Sequence, residues 1–371
     1  MAHDPTPIAI FLPNLAHGGA QRALADLANG LGERGHAVDF LVCRGGGGFE
    51  TLLGPRVNLV NLNGQTLVGS FKPLRRYLTE VMPGAVLGGT YGASLCVAAA
   101  SRGIGKSIRI IAREANTLSA LLDDRPAHYR TVVGTLVRRV YPLCDRIVAV
   151  SQGVKDDLVR NFGMAAARIA VIRNAIDYDD IVAASRSAED DPFFADDGRP
   201  RLLAAGRLVR AKGFDVLIEA LARVGRSLPF RAVILGEGPE RASLDEAIAR
   251  TGLCDGIRMP GFKANPFPWF AAADVFVLSS RFEGMPNALV QALFLGARVV
   301  ATDCRSGPRE LLDGREGLGC LVPVENAEEM ARAIEAALRQ GRDADHATER
   351  REIIESFSPC VTLRQYEEIL A

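Results

Sequence analysis

Short apolar runs alternate along the chain with stretches of helical period. The run at 8–12 is apolar throughout and predicts a strand buried on both faces. Gly18 and Gly19 then open an amphipathic stretch reaching about Leu31. Runs at 38–43, 108–112 and 146–150 predict further strands, and 171–177 closes the first domain. The run 85–100 reads as strand, turn and buried helix, since it is shorter than the roughly 20 residues of a membrane span and contains Thr90 and Tyr91. The glycine run 45–48 predicts a flexible loop. Residues 178–199 are polar, with Asp190, Asp191, Asp196 and Asp197, and lack clear periodicity, so they read as a linker region. Strands are predicted again at 201–205, 231–235, 256–259, 274–278 and 298–302, each followed by a helical signal. The tail from Ser358 is amphipathic.

This alternation predicts an α/β protein of parallel sheets wrapped by helices. A length of 371 residues argues for two domains rather than one core. The boundaries fall at 1–178 and 179–357, with 358–371 as a terminal helix. Ligands of such sheets sit at the strand C-terminal ends, so two facing Rossmann-like domains would hold the active site between them.

Hydrophobic content of 48% and charged content of 24% are those of a soluble globular enzyme. The seven cysteines form no C-x-x-C pair and no metal-ligand spacing, which argues against a disulfide framework or a zinc site and fits a reducing cytoplasm. No signal-peptide pattern opens the chain. The net charge of zero hides an asymmetry: residues 1–177 hold 20 Lys and Arg against 13 Asp and Glu, and the remainder 24 against 31. No basic nucleic-acid footprint emerges. The basic half instead predicts peripheral contact with an anionic membrane, through an amphipathic helix spanning Arg125, Arg130, Leu136 and Tyr141 and helped by Arg75 and Arg76.

Candidate chemistry concentrates between Gly206 and Gln291. The strand at 274–278 runs into a loop carrying Glu283, and a Gly284-Met285-Pro286-Asn287 turn opens the helix that holds Gln291. Pro286 suits a first helical turn, and the amides around Pro286, Asn287 and Ala288 at the positive helix end make an anion site. Gly206-Arg207 and Lys212-Gly213 form a second strand-to-helix turn and add two cations. Two anion sites and a carboxylate suited to hydroxyls describe a pocket for a nucleoside diphosphate joined to a sugar. The loop Gly236-Glu237-Gly238 lacks the third glycine of a dinucleotide fingerprint, so nicotinamide binding is excluded.

These motifs resemble the family 4 retaining glycosyltransferases, the glycogen-synthase-like group with the GT-B fold. The resemblance covers nearly the whole chain and is strongest from about Ala204 to Leu311. It implies two Rossmann-like domains, a C-terminal helix crossing back onto the first, no metal, and no cofactor beyond a nucleoside diphosphate sugar as substrate, UDP before GDP. It implies that Arg207 and Lys212 meet the diphosphate and Glu283 the donor sugar. Gly284, Met285, Pro286, Asn287, Ala288 and Leu289 would line the donor. The family hallmark is Glu-x7-Glu, and this chain carries Gln291 at the second position, where the ribose is held. An amide still bonds a hydroxyl, but more weakly than a carboxylate, so weaker nucleotide binding is expected. Gly18 and Gly19 resemble the family's glycine entry to the first helix, facing the donor phosphates. Arg113-Glu114-Ala115-Asn116 matches a segment that commonly carries His where Ala115 stands, so Glu114 is a catalytic candidate and Asn116, with His17, an acceptor-side one. The segment from Asp303 to Glu310 resembles members acting on bacterial surface glycans. The expected acceptor is therefore a glycan or lipid-linked glycan, met at the inner face of the cytoplasmic membrane. A nucleotide-sugar epimerase, or a non-catalytic homologue that binds nucleotide sugar, are the alternatives.

Overall fold

A computed structural model describes residues 6–16, 18–104, 108–187, 191–342 and 346–371. The chain divides into two compact units: residues 1–176 with 357–371, and residues 177–356.

The first unit is a seven-stranded sheet of β1 (Ile8–Leu12), β2 (Val38–Val42), β3 (Val57–Asn61), β4 (Ala85–Gly88), β5 (Arg109–Glu114), β6 (Arg146–Ala149) and β7 (Ile169–Val171). Its order is β3-β2-β1-β4-β5-β6-β7, and every pairing is parallel. The central strands β1 and β4 are buried along their whole length, as strands covered by helices on both faces must be. The edge strand β3 is largely exposed, and its weak apolar signal left it unpredicted.

Helix Pro359–Leu370 belongs to this unit. Its Leu363, Tyr366 and Leu370 join the core beneath β1 and β2. Glu367 ties it at the rim, accepting from Arg34 at 2.7 Å and lying 3.1 Å from His36 Nε2. The glycine run is held rather than loose: the Gly46 amide donates to Glu50 at 2.5 Å and Phe49 to the Leu15 carbonyl at 3.0 Å.

The second unit repeats the winding with six parallel strands: β8 (Arg201–Ala205), β9 (Arg231–Leu235), β10 (Ile257–Gly261), β11 (Val275–Leu278), β12 (Arg298–Thr302) and β13 (Gly319–Val322). Their order is β10-β9-β8-β11-β12-β13.

The expected linker at 178–199 is structured over most of its length. Asp177 caps helix Tyr178–Ser185 through the Asp180 amide. Phe193 and Phe194 are buried, Phe193 under the Arg231 and Arg258 guanidiniums and Phe194 against Trp269. Acidic composition masked these two anchors. Of the segment 171–177 that closes the first domain, only Val171 lies in a strand, as the last residue of β7.

Candidate functional site

In the second sheet the strand order reverses between β8 and β11, so their C-terminal loops open side by side, where such sheets bind ligands. The loop after β8 carries Arg207, then a tight turn Arg210–Lys212, and enters helix Phe214–Val224. The loop after β11 carries Ser279 to Met285 and enters helix Asn287–Phe294. Lys212 Nζ lies 2.6 Å from Glu283 Oε1. Ser280, itself fully buried, donates to the same oxygen at 2.6 Å. Glu283 is only 5% exposed, and a buried carboxylate persists when a cation and a hydroxyl meet it in this way.

The two loops are stitched together. Ser279 Oγ donates to the Lys212 carbonyl at 2.8 Å, and the Arg281 amide to the Ala211 carbonyl at 2.8 Å. Thr302, at the end of β12, donates to the Ser280 carbonyl at 2.5 Å. Gly213 is left-handed at φ +61°, and a Cβ there would stand 2.1 Å from the Ser279 carbonyl oxygen. Only glycine permits that approach. Arg207 stands exposed on the same loop.

At the turn before helix Asn287–Phe294, Gly284, Met285 and Pro286 are buried. Pro286 is the residue before the helix rather than inside its first turn, with φ −78° and ψ 98°, and Asn287 is the first helical residue. Leu289 does not fit the role expected of it: its side chain is fully buried and its amide closes the first turn onto the Pro286 carbonyl at 3.0 Å. Asn287, Ala288 and Gln291 are half-buried and share one helix face by their spacing. Cys304 is buried nearby, and burial, with Glu283 adding, pushes its thiol up to about 12. It is therefore no nucleophile. Ser279, Ser280 and Thr302 were not singled out from sequence, and Arg281 stood at the head of the motif without a role. Their signal is position, since all four sit at or just beyond the ends of β11 and β12.

In the first unit, Gly18 precedes helix Gly19–Glu33 and accepts from the Arg22 amide at 3.0 Å. His17 lies outside the described residues. Asn116 is half-buried just beyond β5. Glu114 departs from expectation: it is 2% exposed and hydrogen-bonded by the buried Tyr141 hydroxyl. Burial pushes its carboxyl up to about 8. Its neighbour Arg113, 1% exposed, spans Tyr366 at 3.1 Å and Asn174 at 2.6 Å. Both residues hold the first unit together. Arg75 is half-buried and donates to the Ala100 and Arg102 carbonyls at 2.8 Å. Glu237 is exposed and pairs with Arg241 at 3.1 Å.

A family model described as Glycosyltransferase Family 4 matches residues 17–180, and one described as Glycosyl transferases group 1 matches residues 199–340. The chain belongs to this family of glycosyltransferases. It is 32% identical over 247 residues to N-acetylgalactosamine-N,N'-diacetylbacillosaminyl-diphospho-undecaprenol 4-alpha-N-acetylgalactosaminyltransferase of Campylobacter jejuni, covering 66% of this chain and 65% of the relative. It is 35% identical over 167 residues to the lipopolysaccharide core biosynthesis glycosyltransferase LpsE of Rhizobium meliloti, covering 45% of this chain and 46% of the relative. The chain thus spans less than two thirds of the length of these relatives. The crystal structure of Anabaena HepE with UDP-glucose superposes with a TM-score of 0.81 at 21% identity, over 98% of this chain and 99% of that one. Sucrose-phosphate synthase from Thermosynechococcus elongatus also gives 0.81, at 17% identity over 98% of each chain. The two parallel-sheet domains are those of the GT-B fold.

Proposed function

We propose that the protein transfers a hexose or N-acetylhexosamine from a nucleoside diphosphate sugar to a glycan or lipid-linked glycan, with retention of configuration and without a metal. The observation that carries this reading is the contact of Lys212 with Glu283 where the second sheet reverses its strand order. The departing diphosphate gains negative charge as the glycosidic bond breaks, and in this reading Arg207 and Lys212 are the cations that stabilise it, Lys212 being held at Glu283. Glu283 takes the sugar hydroxyls, and Gln291 the ribose. In the front-face path the leaving diphosphate oxygen helps to deprotonate the incoming hydroxyl, so no pair of acid and base carboxylates is required. The solved relative with UDP-glucose favours UDP. The Campylobacter relative's diphospho-undecaprenol name favours a lipid-linked acceptor.

Such an acceptor lies at a membrane, and helix Ala127–Val140 offers a surface for one. Tyr129, Val132 and Leu136 are exposed and share one helix face by their spacing, and Leu143 beyond the helix is exposed as well. Arg125, Arg139 and Arg146 are exposed around it. Apolar insertion flanked by arginines suits an anionic leaflet, at the cytoplasmic face in this reading. Among the described residues no helix is long and apolar enough to cross a membrane. A proton NMR time course of the product's anomeric signal tests the retaining step. The donor's own anomer should appear first, and early appearance of the opposite one would refute it.

A further inference from the structure

Arg281 is heavily engaged beside the site, yet it is not one of the residues proposed to touch the donor. Its guanidinium forks onto Asp215, with bonds of 2.9 and 2.7 Å, and onto Glu325, one of these at 3.1 Å. It also donates to the Arg210 carbonyl at 2.6 Å, while its own amide holds the Ala211 carbonyl. The arginine side chain is 12% exposed, whereas the two carboxylates are 54% and 51% exposed. The cation therefore sits inside, beneath an acidic rim. These partners come from separate loops. Arg210 and Ala211 form the turn before Lys212, Asp215 begins the helix behind it, and Glu325 follows β13 in a left-handed conformation at φ +60°. One residue thus gathers the loops after β8, β11 and β13 at the ligand-binding end of the sheet.

We propose that Arg281 is a positioning residue for the transfer reaction. It fixes the Arg207–Gly213 loop onto the Ser279–Glu283 loop, so that Lys212 is held at Glu283 rather than sampling solvent. The inference rests on the reading of Lys212 and Glu283 as the donor site. A planar fork with five donors can satisfy two carboxylates and a carbonyl together, which a lysine cannot. Surface ion pairs contribute little singly, but here a largely buried arginine anchors a network. The cost of a loose cation falls on binding and turnover, because catalysis depends on charges fixed before the reaction.

The test replaces the half-exposed acids rather than the arginine, in the double variant Asp215→Asn, Glu325→Gln. Calorimetry with UDP gives opposite signs for the two possible roles. If Arg281 is a clamp, losing its anchors weakens UDP binding by about tenfold. If Arg281 instead attracts the diphosphate directly, removing two nearby negative charges tightens binding. Amide hydrogen exchange without ligand supplies the second arm. Exchange across residues 207–213 should rise about tenfold, while β8, β9 and β11 keep wild-type protection. Arg281→Lys should exchange as fast as Arg281→Gln, because charge without the fork cannot hold the turn. Unchanged or tighter UDP binding, or unchanged exchange at 207–213, overturns the proposal. If the wild-type protein binds neither UDP nor GDP, the donor-site reading fails, and the exchange arm still judges the clamp on its own.

Discussion

At the scale of single residues, the proposed donor site depends on how closely its loops approach. Gly307 sits at φ +92°, and a Cβ there would stand 2.5 Å from Pro286 Cδ and 3.1 Å from the Gly284 carbonyl oxygen. Gly307→Ala should therefore cost about 1–3 kcal/mol of stability, read from the denaturation midpoint, and displace the Gly284–Pro286 turn. Gln291 is the departure from the family pattern. Gln291→Glu should tighten UDP by about 1 kcal/mol, since a charged acceptor bonds a hydroxyl more strongly than an amide does. Weaker UDP binding in calorimetry would mean that Gln291 meets a different group. Sequence pattern pointed to Lys212 and Glu283 because glycine turns flank both, and the fold brings the two side chains together. The pattern could not identify Ser280 or Thr302, whose role comes from strands brought together by the fold.

At the scale of elements, the strands of the second unit were legible because each is a nearly continuous apolar run between turn residues, as at Arg201–Ala205 and Arg231–Leu235. β13 was missed, since Gly319 and Cys320 dilute its short apolar signal. Helix Tyr178–Ser185 was hidden by the acids around it. Helix Pro359–Leu370 seals the first unit, and Leu363 packs its methyls against Gly30. Leu363→Ala should destabilise that unit by about 2–5 kcal/mol in thermal or denaturant unfolding. The pairing of Glu114 at the end of β5 with Tyr141 adds a pH dependence. Its folded carboxyl is raised to about 8 from an ordinary 4.5, so between those values the native state holds a proton that the unfolded chain has lost. This contribution to stability is complete below pH 4.5 and is lost as pH rises toward 8. The melting temperature should fall over that interval, and Glu114→Gln should flatten the slope.

At the scale of the whole molecule, one winding pattern occurs twice with different charge. The first unit holds 21 Lys and Arg against 14 Asp and Glu, and the second 23 against 30. Under the membrane-docking reading, the protein should co-sediment with anionic liposomes at low salt, release at high salt, and ignore neutral ones. Val132→Asp with Leu136→Asp should abolish that binding and leave the fold intact. Equal, negligible binding to both vesicle types would point to a soluble acceptor. The central claim is sugar transfer by the site of Lys212 and Glu283. Its most direct test is release of nucleoside diphosphate from a panel of UDP- and GDP-sugars, with a lipid-linked glycan acceptor, by wild type and Lys212→Ala. One donor should turn over, and the substitution should lower its rate by about 100-fold or more, the loss of roughly 3 kcal/mol of transition-state stabilisation. Turnover of no donor, or equal turnover by both proteins, would contradict the account.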